Sequence, residues 1–272
     1  MNVYLDNAAT TPVAPEVVEA MIPVLYEHFG NPSSTHAFGR QAKALIENAR
    51  RQIAQHLNCA PSEIIFTSGG TEADNMALHA AVTQLGVKRI ITSSIEHHAV
   101  GHTAEALQLH ENTEVVNLQL DAKGNINLEE LRALLQAPTP TMVSLMHANN
   151  EIATLLPITE VAQICRQYGA YFHSDTVQTM GHYAFDLAAL DIDFITCAAH
   201  KFHGPKGIGF LYVNKKTRVN PLIHGGSQER GLRGGTENIA GIVGLAKAME
   251  LAYTNLEAHQ QHVWGLKNYM IE

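Results

Sequence analysis

The sequence predicts an α/β fold with a mainly parallel, seven-stranded sheet and helices on both of its faces. Short runs rich in β-branched and aromatic residues alternate along the chain with segments of helical length. This alternation is typical of βαβ units, in which each helix leads back to the next parallel strand. With 272 residues, 46% of them hydrophobic and 16% charged, the chain can bury a sizeable globular core.

The strands are predicted from runs of apolar and β-branched residues. In chain order they cover residues 64–67, 89–92, 114–116, 142–146, 171–174, 194–196 and 209–213. Helices are predicted between several of them, at 72–85, 128–135 and 158–168. Ligands of such sheets bind at the carboxyl ends of the strands, so we expect functional residues in the loops that follow them.

The C-terminal segment is predicted to form one long helix with an apolar face. Its stripe, spaced by threes and fours, consists of Met249, Ala252, Leu256, His259, Val263, Leu266 and Met270. No capping glycine or proline ends this helix before the last residue, Glu272. The stripe requires a surface, which could be the body of this chain, a partner chain or a further domain.

Composition excludes several classes of function. A net charge of -8 disfavours nucleic acid as a partner. The sequence has neither an apolar run of membrane-spanning length nor a signal peptide, so we expect a cytoplasmic protein without a membrane partner. Cys59, Cys165 and Cys197 are odd in number and widely spaced, which argues against a disulfide framework or a CxxC zinc site.

Lys201 is the first candidate site residue. It closely follows the apolar run at 194–198 and precedes a segment rich in glycine and proline. A lysine at the end of a buried strand is desolvated, which disfavours its ammonium form and leaves an amine that can attack a carbonyl. The pattern therefore suggests a Schiff base with an aldehyde cofactor; the alternative is a surface lysine in a turn.

Two further loops carry candidate residues. In the segment Ser68-Gly69-Gly70-Thr71-Glu72, backbone N–H groups, a hydroxyl and a helix N-terminus could bind a phosphate, although an ordinary N-capped turn is equally compatible. His97 could stack on a planar ring or move protons, or it could be a capping or core histidine. His98 and His102 raise the alternative of zinc, but no third ligand is evident and we assign no metal.

The remaining loops favour a pyridine ring as the ligand. Asn149, one of two adjacent asparagines after a strand, could bind a ligand or build a turn. Asp175 ends a buried run, where a carboxylate needs a partner such as a protonated ring nitrogen, unless it caps a helix. Gln178 could donate to a ring oxygen. A phosphate cradle, a stacking group, an anion and an amine together match pyridoxal 5'-phosphate.

At this point the chain resembles the cysteine desulfurases, within the class V aminotransferase group of fold type I pyridoxal-phosphate enzymes. The matching motifs are LDNAATTP at 5–12, NPSS at 31–34 with His36 and Gly39, FTSGGTE at 66–72, Glu96-His97, HANNE at 147–151, Asp175 with Gln178, HKFHGPKG at 200–207 and GGSQERGLRGGTEN at 225–238. Their order and number make the resemblance specific, since no single motif would suffice.

The resemblance implies a role for each matched residue at the ring. Lys201 would bond to the cofactor and then transfer protons, and His97 would stack on the ring and assist the acid–base steps. Asp175 would keep the ring nitrogen protonated. Gln178 and Asn149 would contact the side of the phenolic oxygen.

The resemblance also implies the residues at the phosphate. Gly70, Thr71 and His200 would hold it, and Thr236 would reach the phosphate of the neighbouring subunit, which makes the site a property of a homodimer. Ala198 departs from the family, in which a serine at this position binds the phosphate. Losing one hydrogen bond to a charged group costs about 1.5–3 kcal/mol, so cofactor binding should weaken.

The implied activity removes sulfur from L-cysteine, giving L-alanine and an enzyme persulfide that supplies an acceptor such as an iron–sulfur scaffold. The implied domains are an N-terminal arm at 1–12, a cofactor-binding large domain at 13–250 and the start of a small domain at 251–272. The family's nucleophilic cysteine and substrate-binding arginine would lie beyond Glu272, and none of the three cysteines matches the nucleophile's motif. We therefore expect this chain alone to bind cofactor but transfer little sulfur.

Two alternatives stay open. A related class V enzyme, such as a selenocysteine lyase or an aminotransferase, would share the Lys201 site. A non-catalytic protein could keep the fold as a dimeric binding module.

Overall fold

The computed structural model describes residues 2–271 and contains a single seven-stranded sheet. The strands are β1 Ile64–Thr67, β2 Arg89–Ser93, β3 Glu114–Leu118, β4 Thr141–Ser144, β5 Tyr171–Asp175, β6 Phe194–Ala198 and β7 Gly209–Val213. Their order in the sheet is β1-β7-β6-β5-β4-β2-β3, and only β7 runs antiparallel to its neighbours. The predicted α/β class with a mainly parallel sheet is confirmed.

Eight α-helices accompany the sheet within the described residues. They are α1 Pro15–Tyr26, α2 Ala37–His56, α3 Gly70–Thr83, α4 His98–Glu111, α5 Leu128–Leu135, α6 Ile158–Tyr168, α7 Ile239–Thr254 and α8 Leu256–Ile271. None of the helices described is both long and apolar enough to cross a membrane.

The helices cover both faces of the sheet, as predicted. Consecutive residues of a strand point to opposite faces, so Ile64 and Phe66 enter one apolar cluster and Ile65 enters the other. The first cluster includes buried residues of α2, α6 and α7, whereas the second is built largely on α3 and α4. Helices therefore cover both faces of the sheet, although β3 at one edge stays partly exposed.

The predicted single C-terminal helix is wrong in one respect. The helix is interrupted at Asn255, whose φ of -106° and ψ of 13° end α7 before α8 begins. α7 packs on α1 and α2 and buries Met249, but α8 has no buried residue. Val263 and Met270, from the second half of the predicted stripe, are 48% and 85% exposed. The predicted domain limits stay predictions, and Met1 and Glu272 lie outside the described residues.

Strand direction determines where a site can form. The carboxyl ends of β1, β2, β4, β5 and β6 and the amino end of β7 lie at the same sheet edge, because β7 alone is reversed. Loops that leave these strands therefore converge there.

Candidate active site

A pocket of about 400 Å³ lies at this edge of the sheet. Its walls come from the N-terminal arm, the start of α3, the start of α4 and the loops after β4, β5 and β6. Seven of the nine sequence-predicted site residues line it: Gly70, Thr71, His97, Asp175, Gln178, His200 and Lys201. Loops separated by more than 100 residues thus bring the predicted amine, carboxylate and phosphate-binding turn together.

Asn149 and Thr236 do not line the pocket. The Asn149 amide donates to the Ile95 carbonyl at 2.7 Å, and its oxygen accepts the N–H groups of Glu151 and Ile152. These bonds shape the turn after β4, which is the structural alternative for paired asparagines, while Asn150 lines the pocket. Thr236 is exposed in a separate depression of about 190 Å³.

The start of α3 presents backbone N–H groups without a side-chain acceptor to the pocket. Gly69 precedes the helix with a φ of 154°, which residues with side chains rarely adopt, and no side chain caps this end. Glu72 instead accepts the Ser68 N–H at 2.9 Å and pairs with Arg233 at 2.9 and 3.1 Å. The free backbone N–H groups and the helix dipole make this end suitable for a phosphate.

Lys201 lies in a short 3-10 helix, Ala199–Lys201, that directly follows β6. Partial burial lowers the pKa of its amine, although the charges of Asp175 and Asp6 oppose this shift. The amine donates to the carbonyl oxygens of Ala8 and Ala9 in the N-terminal arm. These are backbone acceptors, so the sequence carried no signal for them.

The N-terminal arm lies across the pocket mouth through several further contacts. The Thr11 N–H and hydroxyl both donate to the His200 carbonyl at 2.9 Å. His200 contacts the Thr10 hydroxyl at 3.1 Å, and Gln178 donates to the Ala8 carbonyl at 2.9 Å. The arm motif therefore has a structural function, which is to close one wall of the pocket.

Asp175 ends β5 and is 6% exposed. One of its oxygens accepts the Val177 N–H at 2.8 Å, which leaves the other without a backbone donor. Burial, and then the nearby carboxyl of Asp74, raise the pKa of Asp175 to about 7. A cation at this carboxylate would relieve both effects, as a protonated ring nitrogen would.

Asp74 is a pocket residue that the sequence reasoning missed. It lies one turn after Gly70 on α3 and is 1% exposed, and its Oδ1 has no hydrogen-bond partner among the described residues. His173 Nε2 lies 3.4 Å from this oxygen, but burial lowers the pKa of His173 to about 4 and raises that of Asp74 to about 7. Burial therefore disfavours the charged form of both groups in this contact. The i, i+4 spacing from Gly70 was the signal that could have identified it.

His97 caps the start of α4. Its Nδ1 accepts the Ala99 N–H at 3.1 Å, which fixes the ring beside the pocket and leaves Nε2 free of this bond. Atoms of His97, Asp74 and Asp175 lie within 4.8 Å of one another. His98 and His102, the alternative zinc pair, stack on each other with ring centroids 4.8 Å apart.

No cysteine among the described residues lines this pocket. Burial raises the pKa of Cys59 to about 12, and it raises the pKa values of Cys165 and Cys197 well above the usual range. Thiols in this condition are poor nucleophiles at neutral pH.

The donor set of the pocket fits pyridoxal 5'-phosphate. The uncapped α3 terminus suits its phosphate, the amine of Lys201 suits its aldehyde, and the two buried carboxyl groups, one with an oxygen lacking any partner, suit its ring nitrogen. This fold and this site define a fold type I pyridoxal-phosphate enzyme.

Comparisons with known proteins give the family. Residues 3–272 match the family model described as aminotransferase class V. The chain is 48% identical to a cysteine desulfurase IscS of Dictyoglomus turgidum over 99% of its own length and 68% of that relative. The chain belongs to the class V aminotransferase family.

Solved structures agree with this assignment. A NifS-like protein, 42% identical, superimposes with a TM-score of 0.95 over 100% of this chain and 75% of that one. A structure titled SspA in complex with cysteine is 39% identical, with a TM-score of 0.86 over 92% of this chain and 72% of that one. The chain therefore spans roughly two thirds to three quarters of the proteins it matches.

Proposed function

We propose that this protein is a cysteine desulfurase, which uses pyridoxal 5'-phosphate to remove sulfur from L-cysteine and leave L-alanine. The observation that carries the proposal is one pocket that joins the Lys201 amine, the Asp175 carboxyl and the uncapped α3 terminus, in a chain 48% identical to a named cysteine desulfurase. Cysteine as the substrate is supported by the names of the relatives and by the neighbour solved with cysteine.

The residues at the ring have distinct roles in this proposal. Lys201 binds the aldehyde carbon and, once released, holds or moves a proton beside the substrate. Asp175 keeps a proton on the ring nitrogen, and His97 stacks on the ring with Nε2 available for proton transfer. Gln178 orients the oxygen side of the ring. When bound, the cofactor supplies an electron sink at the substrate's α-carbon.

The residues at the other end bind the phosphate. Backbone N–H groups at Gly70, the Thr71 hydroxyl and the His200 ring surround the start of α3. Thr236 is proposed to contact the phosphate of a partner subunit, because it is exposed in a depression separate from its own pocket. A homodimer follows from this role, and so does a site built by two subunits.

The sulfur atom needs a nucleophile. No described thiol lines the pocket, so we propose that sulfur leaves to a thiol supplied from outside the described pocket, and then to an acceptor such as an iron–sulfur scaffold in the cytoplasm. For the 272-residue polypeptide alone, we expect cofactor and cysteine binding with little release of sulfur.

Product analysis tests the proposal. The polypeptide is loaded with pyridoxal 5'-phosphate and given L-cysteine, with and without dithiothreitol. One thiol of this small dithiol can take the sulfur as a persulfide, and its second thiol then displaces sulfide and closes the cyclic disulfide. We expect alanine and sulfide in equal amounts, mainly when the dithiol is present. Transfer of the amino group to a keto acid without sulfide would instead identify an aminotransferase. A protein that binds no cofactor would be a binding module.

Ala198→Ser should tighten cofactor binding. Ala198 is 2% exposed and lines the pocket, and its Cβ would lie 3.7 Å from a Cβ added at Gly70, so a serine hydroxyl would lie beside the start of α3. A hydrogen bond to a charged group contributes about 1.5–3 kcal/mol, which corresponds to a fall in Kd of roughly 10- to 150-fold.

Cofactor titration of the two proteins measures this effect. Ala184→Ser, at an exposed position outside the pocket, is the matched control and should leave Kd unchanged. An unchanged Kd for Ala198→Ser would mean that the phosphate does not bind beside β6.

A further inference from the structure

Asp74 places a second carboxyl beside Asp175 in the pocket. Their oxygens lie within 4.8 Å of each other, and both side chains are almost fully buried. Asp74 comes from α3 and Asp175 from β5, so two separate elements hold this arrangement. Two carboxylates at this distance in a buried site repel each other, and both cannot be charged without a compensating cation.

Most of the groups around the pair carry no positive charge that could balance Asp74. The titratable groups that face the pair are Asp6 from the arm, Glu96 and His97 before α4, His173 on β5, Cys197 on β6 and Lys201 after it. Glu96 and Cys197 are buried, and their pKa values are raised, so they add no positive charge. Lys201 is turned toward the arm carbonyls of Ala8 and Ala9.

His173 is also unable to balance the charge. It is fully buried, and its two nitrogens contact the hydroxyls of Ser144 at 2.8 Å and Thr196 at 3.1 Å. Its Nε2 also lies 3.4 Å from Asp74 Oδ1, but burial outweighs the nearby charge of Asp175 and lowers the pKa of the ring to about 4, so the ring is neutral. Positive charge on His97 or Lys201 acts on Asp175, whereas no cation in the described part of the chain lowers the pKa of Asp74. Compensation at Asp74 therefore has to come from a proton.

We propose that Asp74 is a positioning residue that keeps this proton, so that Asp175 carries the single negative charge facing the cofactor's ring nitrogen. This inference rests on the proposed function, because it needs the cofactor to bind at Asp175. A carboxyl pair that holds one proton has a single negative charge, which balances the positive charge of one protonated ring nitrogen. A doubly charged pair would leave one buried charge without a partner. Asp74 Oδ1 is buried and has no hydrogen-bond partner among the described residues. A negative charge on Asp74 would therefore be poorly stabilised, which is why the proton is assigned to Asp74.

A proton kept on Asp74 makes cofactor affinity depend on pH in a definite direction. At pH values above the titration of the pair, the empty pocket has lost the Asp74 proton, and binding must take it up again. Affinity therefore falls as pH rises, by about one additional factor of ten per pH unit for this one proton. The pKa of each carboxyl is raised to about 7, so the effect should appear above pH 8.

The test measures the Kd of pyridoxal 5'-phosphate between pH 6 and pH 9.5 for the wild type and for Asp74→Asn. Asparagine has the shape of a protonated aspartate and cannot lose the proton. We expect similar affinities at pH 6 and, above pH 8, a log Kd slope smaller by about one in the variant. Asp193→Asn is the matched control, because Asp193 also has a raised pKa but lies outside the pocket, and its slope should equal that of the wild type.

Two measurements on the wild type keep the inference testable if Asp74→Asn does not fold. Calorimetry of cofactor binding at pH 9 in buffers of different ionisation enthalpy should show net proton uptake. Infrared spectra of the cofactor-free protein at pH 6.5 should show a protonated carboxyl band. Parallel pH slopes, or the absence of both proton uptake and the band, would overturn the inference. A wild type that binds no cofactor yet has the band would refute the proposed function alone.

Discussion

Lys201→Ala is expected to abolish the covalent attachment of pyridoxal 5'-phosphate. Lys201 is the only lysine among the residues that line the described pocket, and partial burial lowers the pKa of its amine. No other amine there can bond to the aldehyde. Without it, the absorption band of the bound cofactor should be lost, and borohydride should fix no cofactor to the protein.

The phosphate site should survive this substitution. The start of α3 and the hydroxyl of Thr71 do not depend on the lysine, so we expect weaker, reversible cofactor binding. Turnover in the dithiol-assisted assay should fall by at least ~10²–10⁴-fold, the usual contribution of a group that transfers protons at the reacting centre.

Mass spectrometry after borohydride reduction measures the attachment directly. Lys215→Ala, at an exposed position after β7, is the control and should be labelled like the wild type. A reduced cofactor on a peptide of the Lys201→Ala protein would mean that another lysine forms the bond, and the assignment of Lys201 would be wrong.

The sheet could be read from the sequence because each strand is a short, buried run. β1 and β7 have the predicted limits, since polar residues flank β1 on both sides, and β7 begins at a glycine and is followed by Asn214. The residues that follow the strands could be grouped by the same logic, because parallel strands deliver their loops to one edge. This explains why Asp175, at the end of β5, and Lys201, just after β6, were predicted to meet.

Contacts made by backbone atoms could not be read in this way. The carbonyl groups of Ala8 and Ala9, which contact the Lys201 amine, have no side-chain signature. Asn149 was assigned to the pocket by its position in a motif, but its amide donates to the Ile95 carbonyl and accepts the Glu151 N–H of its own turn. Asp74 was missed because it lies inside a helix, whereas site residues were expected only at strand ends.

The C-terminal helix shows a different limit. The periodicity of apolar residues continues through Asn255, so the sequence pattern contains no sign of the break there. Met249 is buried against the body while Val263 and Leu266 are about half exposed, although all three belong to the same stripe. Periodicity predicts that a face is apolar, but it does not say what covers that face.

Glu229→Gln should strongly destabilise the fold. The Glu229 carboxylate, 6% exposed, accepts two hydrogen bonds from the Arg50 guanidinium at 2.7 and 2.8 Å and the Phe66 N–H at 2.9 Å. Burial works against the charge of Arg50, but the hydrogen bonds and charges of Glu229 and Glu47 together outweigh it and raise the arginine's pKa. Removing one charge of a buried pair costs about 3–5 kcal/mol, and of the described carboxylates only the partly exposed Glu47, at 3.2 Å, would still pair with Arg50.

Chemical denaturation measures this loss as a fall in the free energy of unfolding. Glu129→Gln is the matched control, because Glu129 is largely exposed and lies 3.6 Å from Arg132, so its loss should be at most about 1 kcal/mol. Glu229 has a φ of 45° and Arg230 a φ of 59°, a backbone conformation that residues with side chains seldom adopt. The ion pair of Arg50 and Glu229 therefore holds this turn in place.

The same turn leads to Arg233 and Thr236, so the substitution should also act on the site. If Thr236 binds the phosphate of a partner subunit, releasing the turn weakens cofactor binding even under conditions where Glu229→Gln stays folded. A variant that loses stability but keeps the wild-type Kd would separate the two roles: Arg50 and Glu229 would then anchor the fold, while the phosphate contact would not depend on the turn they hold.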